Sequence, residues 1–236
     1  MDLGFHLARA TWPGLAGLTA VLMLPGVALA GLLFMWHPPL ALFGLWWFKP
    51  LIDRALLHWQ AQALLDGPTG IRPVLADWRK WGHGGLLATL TVLRFHPARS
   101  SVLPVWQLEG LSGPVRRRRT RALGHGGNGS GTGLSLIAGL FEFCLIVGLM
   151  VILGWMLPEG LWQGFDPDLW LTTGGATAQF WGLVAVCYAI AVVLVEPFYV
   201  GGGFGIYLNQ RCRLECWDLE PEFQRMARRH SKMARP

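Results

Sequence analysis

Glu142 and Glu196 stand in two of the most apolar stretches of the chain, residues 134–157 and 178–200. An ionisable group inside a bilayer is costly, and it marks a transport path, a partner or a packed polar network. If the two stretches cross a membrane in opposite directions, the two glutamates come to comparable depth on its cytoplasmic side. Lys49, and Arg54 with it, can approach the same layer. Lys49 and Asp53 are four residues apart, a spacing at which opposite charges meet on one helix face. Two readings of Glu142, Glu196, Lys49 and Asp53 are open. One is a buried charge network that binds an ion, a proton or a lipid headgroup. The other is a structural ion pair that fixes helix register. Glu196 has a third option, because a residue near the interface can reach water by snorkelling.

Other chemistry finds no support. The histidines, His6, His37, His58, His83, His96, His125 and His230, include no pair at a metal-site spacing. Ser100 and Ser101 follow His96, but no nucleophile elbow surrounds them. Residues 124–133 are rich in Gly, yet no Lys-Ser or Lys-Thr follows to hold a phosphate. Cys144 and Cys187 lie in apolar runs and read as packing residues. Cys212 and Cys216 have neither zinc-knuckle spacing nor further ligands nearby. No catalytic group, metal or cofactor is expected.

The elements that must position the four charges are membrane spans. Residues 122–210 contain no Lys or Arg, although the chain carries 20. Loops that cross a membrane are poor in basic residues and loops that stay inside are rich in them. The chain is only 14% charged, against about 25% in soluble domains. Its 13 Trp residues suit the membrane interface. The net charge of +6 is placed to meet anionic headgroups, and no nucleic-acid partner is expected.

The fold class expected is all-α: one polytopic membrane domain with about four spans, at residues 15–36, 39–65, 134–157 and 178–200. The first span carries Pro25, which neighbouring helices can accommodate. It also carries Val27-Ala28-Leu29-Ala30, a signal-peptide-like cleavage site, but the apolar run continues past it and reads as a retained anchor. His37-Pro38-Pro39 makes the outer turn. Residues 39–65 read as one kinked helix, with a re-entrant hairpin as the alternative. Residues 66–121 read as amphipathic helices on the cytoplasmic interface, apolar face down. Arg116, Arg117, Arg118, Arg119 and Arg121 then serve as a topology anchor or an anionic-lipid site. Residues 122–133 read as a flexible Gly-rich linker. Asn128-Gly129-Ser130 matches a glycosylation acceptor, which has no meaning on the cytoplasmic side. Trp162, Phe165 and Trp170 fall in an outer loop that also holds Asp166 and Asp168. Gly201, Gly202, Gly203 and Gly205 permit close helix packing or end the last span. The tail, residues 209–236, stays inside with the N-terminus.

Three stretches carry a resemblance. They are Phe48-Lys49-Pro50-Leu51-Ile52-Asp53-Arg54; His96-Pro97-Ala98-Arg99-Ser100 with Leu103-Pro104-Val105-Trp106-Gln107-Leu108-Glu109; and Glu196-Pro197-Phe198-Tyr199-Val200-Gly201-Gly202-Gly203-Phe204-Gly205-Ile206-Tyr207-Leu208-Asn209. Together they resemble an uncharacterised family of proteobacterial inner-membrane proteins, often encoded near MoxR-type ATPases. The resemblance implies a place in a membrane-associated assembly and supplies no catalytic residues. The function expected is therefore a non-enzymatic scaffold or accessory subunit of an inner-membrane complex. Its partners are the lipid bilayer and other membrane proteins or further copies of itself. The alternative is a small transporter or lipid-handling protein that uses Glu142, Glu196 and Lys49.

Overall fold

The computed structural model describes residues 2–65, 67, 70–82, 85–156 and 178–215, and every regular element among them is helical. The long helices are α2 (Trp12–Trp36), α3 (Leu40–Leu65), α8 (Gly113–Met156) and α9 (Ala178–Glu215). A short α1 (Asp2–Ala10) precedes them. Between α3 and α8 lie α4 (Ile71–Ala76), α5 (Trp78–Gly82), α6 (Leu86–Leu90), a 3₁₀ turn (Leu93–Phe95) and α7 (Arg99–Gln107). Three stretches are long and apolar enough to cross a bilayer: α2, the Gly129–Met156 part of α8, and α9 as far as Leu214. In the fourth long helix, α3, the apolar run is broken by Lys49, Asp53 and Arg54.

α2 and α3 form a tight antiparallel hairpin. His37 closes α2 by donating its N–H to the Leu33 carbonyl, and Leu40 donates to His37 to start α3. Gly14 faces Trp59, Gly26 faces Phe48 and Gly44 faces Ala30, so the pairing holds along both helices. α3 is continuous through Pro50. The chain therefore does not turn back at Lys49-Pro50, as a re-entrant hairpin would require.

α9 is the hub, packed against α1, α2, α3, α7 and α8. Its buried side includes Val192, Tyr199, Val200, Phe204 and Tyr207. The helix continues through Gly201, Gly202 and Gly203, and each of these meets a different neighbour. A Cβ at Gly201 would approach the Gly4 carbonyl oxygen and the Ala8 Cβ of α1. One at Gly202 would lie 3.0 Å from Leu134 of α8, and one at Gly203 would lie 2.3 Å from Ser100 of α7. At Gly205 the backbone itself is close, its nitrogen 3.1 Å from the Cβ position of Gly4. Backbones that approach this far need glycine.

The expected flexible linker at 122–133 is instead helix, in the middle of α8. Gly composition lowers helix propensity but does not forbid a helix that packing holds at both ends. Leu123 and Leu134 are buried, and Gly131 lies against α7, where a Cβ would sit 2.4 Å from Ser101 Oγ.

The segment from α4 to α7 is folded onto the long helices. Arg54, fully buried, organises it. Its Nε–H donates to the Trp81 carbonyl at 2.6 Å and an Nη to Thr89 Oγ1 at 2.9 Å, while Gln107 donates to the Arg54 carbonyl at 2.8 Å. Trp81 in turn donates its indole N–H to the Val74 carbonyl. At the corner between α4 and α5, the hydrogen bond from Lys80 holds the Asp77 carboxyl below its ordinary range, with His58 and Gln62 assisting. The expected outer loop with Trp162, Phe165, Trp170, Asp166 and Asp168, and the tail beyond Glu215, lie outside the described residues, as does His83.

Candidate polar cleft between α3, α8 and α9

Pro50 explains why charge gathers beside α3. A proline has no N–H, so the carbonyl four residues earlier loses its helical partner. That carbonyl belongs to Trp46. Arg94, carried by the 3₁₀ turn, donates one Nη to the Trp46 carbonyl and the other to the Trp47 carbonyl at 3.2 Å. Its guanidinium also lies over the Trp46 indole, 3.4 Å from the ring centre. A buried C=O without a partner costs about 1–3 kcal/mol, so this guanidinium replaces what Pro50 removed.

One turn further along, the charges form a chain. Lys49 Nζ is 2.6 Å from Glu142 on α8 and 3.0 Å from Glu196 on α9. Arg99, at the start of α7, is 2.8 Å from Asp53 on α3 and 3.5 Å from Glu196. The order is Glu142, Lys49, Glu196, Arg99, Asp53, alternating in sign across four helices. Lys49 and Asp53 are thus in one network, but each pairs with other helices and not with the other, because partners on facing helices approach more closely. Glu196 is the shared node and the most enclosed member, its side chain 1% exposed against 11% for Glu142. Tyr199 lies beneath Arg99 and shares a 3.0 Å hydrogen bond with Ser135 of α8.

Lys49, Arg94, Arg99, Glu142, Glu196 and Tyr199 line a cleft of about 270 Å³. Two apolar grooves of about 470 Å³ and 520 Å³ lie between α8, α9 and, in the first, α3. Phe43, Trp46, Phe143 and Val184 line them. Three cations (Lys49, Arg94, Arg99) and three acids (Asp53, Glu142, Glu196) meet at the polar end, so the ionised set is neutral. Several buried polar atoms keep no hydrogen-bond partner, among them Glu142 Oε1, Arg94 Nε and Arg99 Nε. Among the described residues, no group of three His, Cys, Asp or Glu is placed to hold a metal ion.

The remaining sequence candidates lie elsewhere. Arg54 belongs to the α4–α7 segment described above. The basic cluster divides. Arg116 stacks on Trp106, 3.6 Å from the ring centre, and Arg119 pairs with Glu109 at 2.7 Å. Tyr207 of α9 donates its hydroxyl to the same Glu109 at 2.9 Å. Arg117, Arg118 and Arg121 are exposed.

Arg94 and Arg99 are the site residues that sequence reasoning missed. Both fall in a segment read as interfacial. The available signal was charge balance: Asp53, Glu142 and Glu196 cannot all be neutralised by Lys49 alone, so further cations were needed. Comparison with family models, curated proteins and solved structures finds no match for this chain.

Proposed function

We propose that the chain is an inner-membrane protein with four crossings and both ends on the cytoplasmic side, and that it handles a membrane amphiphile in the cleft between α3, α8 and α9. The antiparallel hairpin supports counting α3 as a crossing, since it runs beside α2 for the length of both helices. The absence of Lys and Arg from residues 122–210 supports the orientation. The resemblance to proteobacterial inner-membrane proteins supports the location.

The observation that carries the reading is that the same helices, α3, α8 and α9, build both a polar cleft and apolar grooves. A pair that only fixes helix register does its work when sealed. Here Lys49, Arg99 and Glu142 line a cleft, and the neighbouring grooves offer an apolar bed of the kind an acyl chain occupies. Gly139 gives a clean test, because it lines the polar cleft and nothing lies within 4 Å of its Cβ position. Gly139→Leu fills the cleft and leaves every charge in place. Native mass spectrometry from mild detergent should find lipid on the wild type and a several-fold loss in Gly139→Leu. A wild type that carries no lipid removes the proposal.

A scaffold or accessory-subunit role is a second reading, favoured by the exposed Arg117, Arg118 and Arg121. Ser135 is level with Tyr199. At 1.5 Å per residue, Arg121 lies about 20 Å further along α8, beyond easy reach of the headgroups and open to a cytoplasmic partner. Affinity purification in mild detergent tests it, and a lone monodisperse species counts against it.

A further inference from the structure

The cleft's chemistry narrows its occupant, provided that the amphiphile-binding reading holds. We propose that it selects a phospholipid whose headgroup bears both a phosphate and a primary ammonium, the phosphoethanolamine type. Two features of the polar end carry this. Counted as ionised, the six groups of this network balance, so a net anionic headgroup would bring an uncompensated charge into a low-dielectric site, whereas a zwitterion brings none. Its unpartnered atoms are of both kinds. Arg94 Nε and Arg99 Nε are donors in search of acceptors, and Glu142 Oε1 is an acceptor in search of a donor. A phosphate ester satisfies the arginines and an ammonium satisfies the glutamate. Glycerol headgroups lack the positive charge, and a trimethylated ammonium has no N–H to give.

The acyl chains follow the apolar grooves outward past Trp46 and Phe143, which commits the site to a lipid in the bilayer and not to a free phosphate compound. Lys49 already holds Glu142 Oε2, so the ammonium joins this pair from the cleft side and breaks no ion pair.

The test uses the full chain in nanodiscs and measures competition against a fluorescent phospholipid. Competitors are the phosphoethanolamine, phosphoglycerol and phosphocholine lipids with identical chains, the mono- and dimethylated ethanolamine lipids, and water-soluble glycerophosphoethanolamine. The ethanolamine lipid should compete about tenfold better than the choline or glycerol lipids, with a graded loss along the methylation series. Glu142→Gln should flatten that series while lipid still binds. Because the series is measured on the wild type, it stands even if Glu142→Gln folds poorly. Equal competition by all lipids, or preference for phosphoglycerol, overturns the headgroup assignment and leaves amphiphile binding intact. Competition by the soluble compound at the same concentrations overturns the commitment to a lipid. Failure of every lipid to compete removes both proposals.

Discussion

At the Trp46 carbonyl a single backbone atom accounts for the placing of a charged side chain. Pro50 takes away its helical partner and Arg94 supplies another. Arg94→Met should therefore destabilise the fold by about 1–3 kcal/mol. Pro50→Ala returns an N–H at the right position, so the double variant should lose less than the sum of the two single changes. Chemical unfolding in detergent checks this, and strict additivity would contradict the account. Within the ion chain the cost should follow connectivity. Glu196→Gln strips a shared partner from both Lys49 and Arg99 and should cost about 3–5 kcal/mol. Glu142→Gln leaves Lys49 with Glu196 and should cost about half as much or less. The reverse order would rule out Glu196 as the node. Glu142, Glu196, Lys49 and Asp53 were legible in the sequence because charge stands out against an apolar run. Arg99 was not, since the i,i+4 rule knows only one helix, and Arg99 reaches Asp53 from a helix 46 positions away in the chain.

At the element scale, α8 shows how far composition can mislead. Its glycines read as a flexible linker, yet they are the means by which α7 comes close at Gly131. The glycines on its open side serve no such contact. Gly129→Ala and Gly133→Ala, with nothing within 4 Å of either Cβ position, should each stabilise α8 by about 1 kcal/mol. Gly131→Leu should displace α7 and lower the unfolding midpoint. Thermal unfolding of the three variants separates a packed helix from a loose tether, because a tether would be indifferent to all of them. The corner at Asp77 gives a pH test of the α4–α5 segment. Its carboxyl is held below the ordinary value of 3.8, chiefly by the hydrogen bond from Lys80. A depressed folded-state value means stability that is present above the ordinary range and lost as pH falls through the lowered one, below about pH 4. Amide exchange over residues 71–82, corrected for intrinsic rates, should rise there in the wild type. In Asp77→Asn it should be insensitive to pH.

For the whole molecule, the governing quantity is the position of each helix end relative to one lipid sheet. The distribution of Lys and Arg supports a proposal for that sorting before any helix is placed, because it depends on sign alone and not on packing. The folding of residues 71–107 onto α3 and α9 was not readable, since short helices with buried Trp81, Leu93 and Val102 have the same apolar faces as helices lying on lipid. The proposed topology makes a strict demand on accessibility. Met35 and Met156 are exposed at one end of the bundle, while Leu3 and Arg118 are exposed at the other. With Cys144, Cys187, Cys212 and Cys216 replaced by Ser, single cysteines at Met35 and Met156 should react with an impermeant maleimide in intact spheroplasts. Cysteines at Leu3 and Arg118 should react only in inverted vesicles. The 44 residues of α8 extend about 66 Å, more than twice the hydrocarbon thickness of about 30 Å, so a cysteine at Arg118 should react as fast as one on a soluble helix. Slow labelling at Arg118 from the inner side would mean that α8 lies along the membrane instead of projecting from it. Labelling of Met35 and Arg118 from the same side would mean that α8 does not cross at all, and the polar cleft would then have no bilayer to open into.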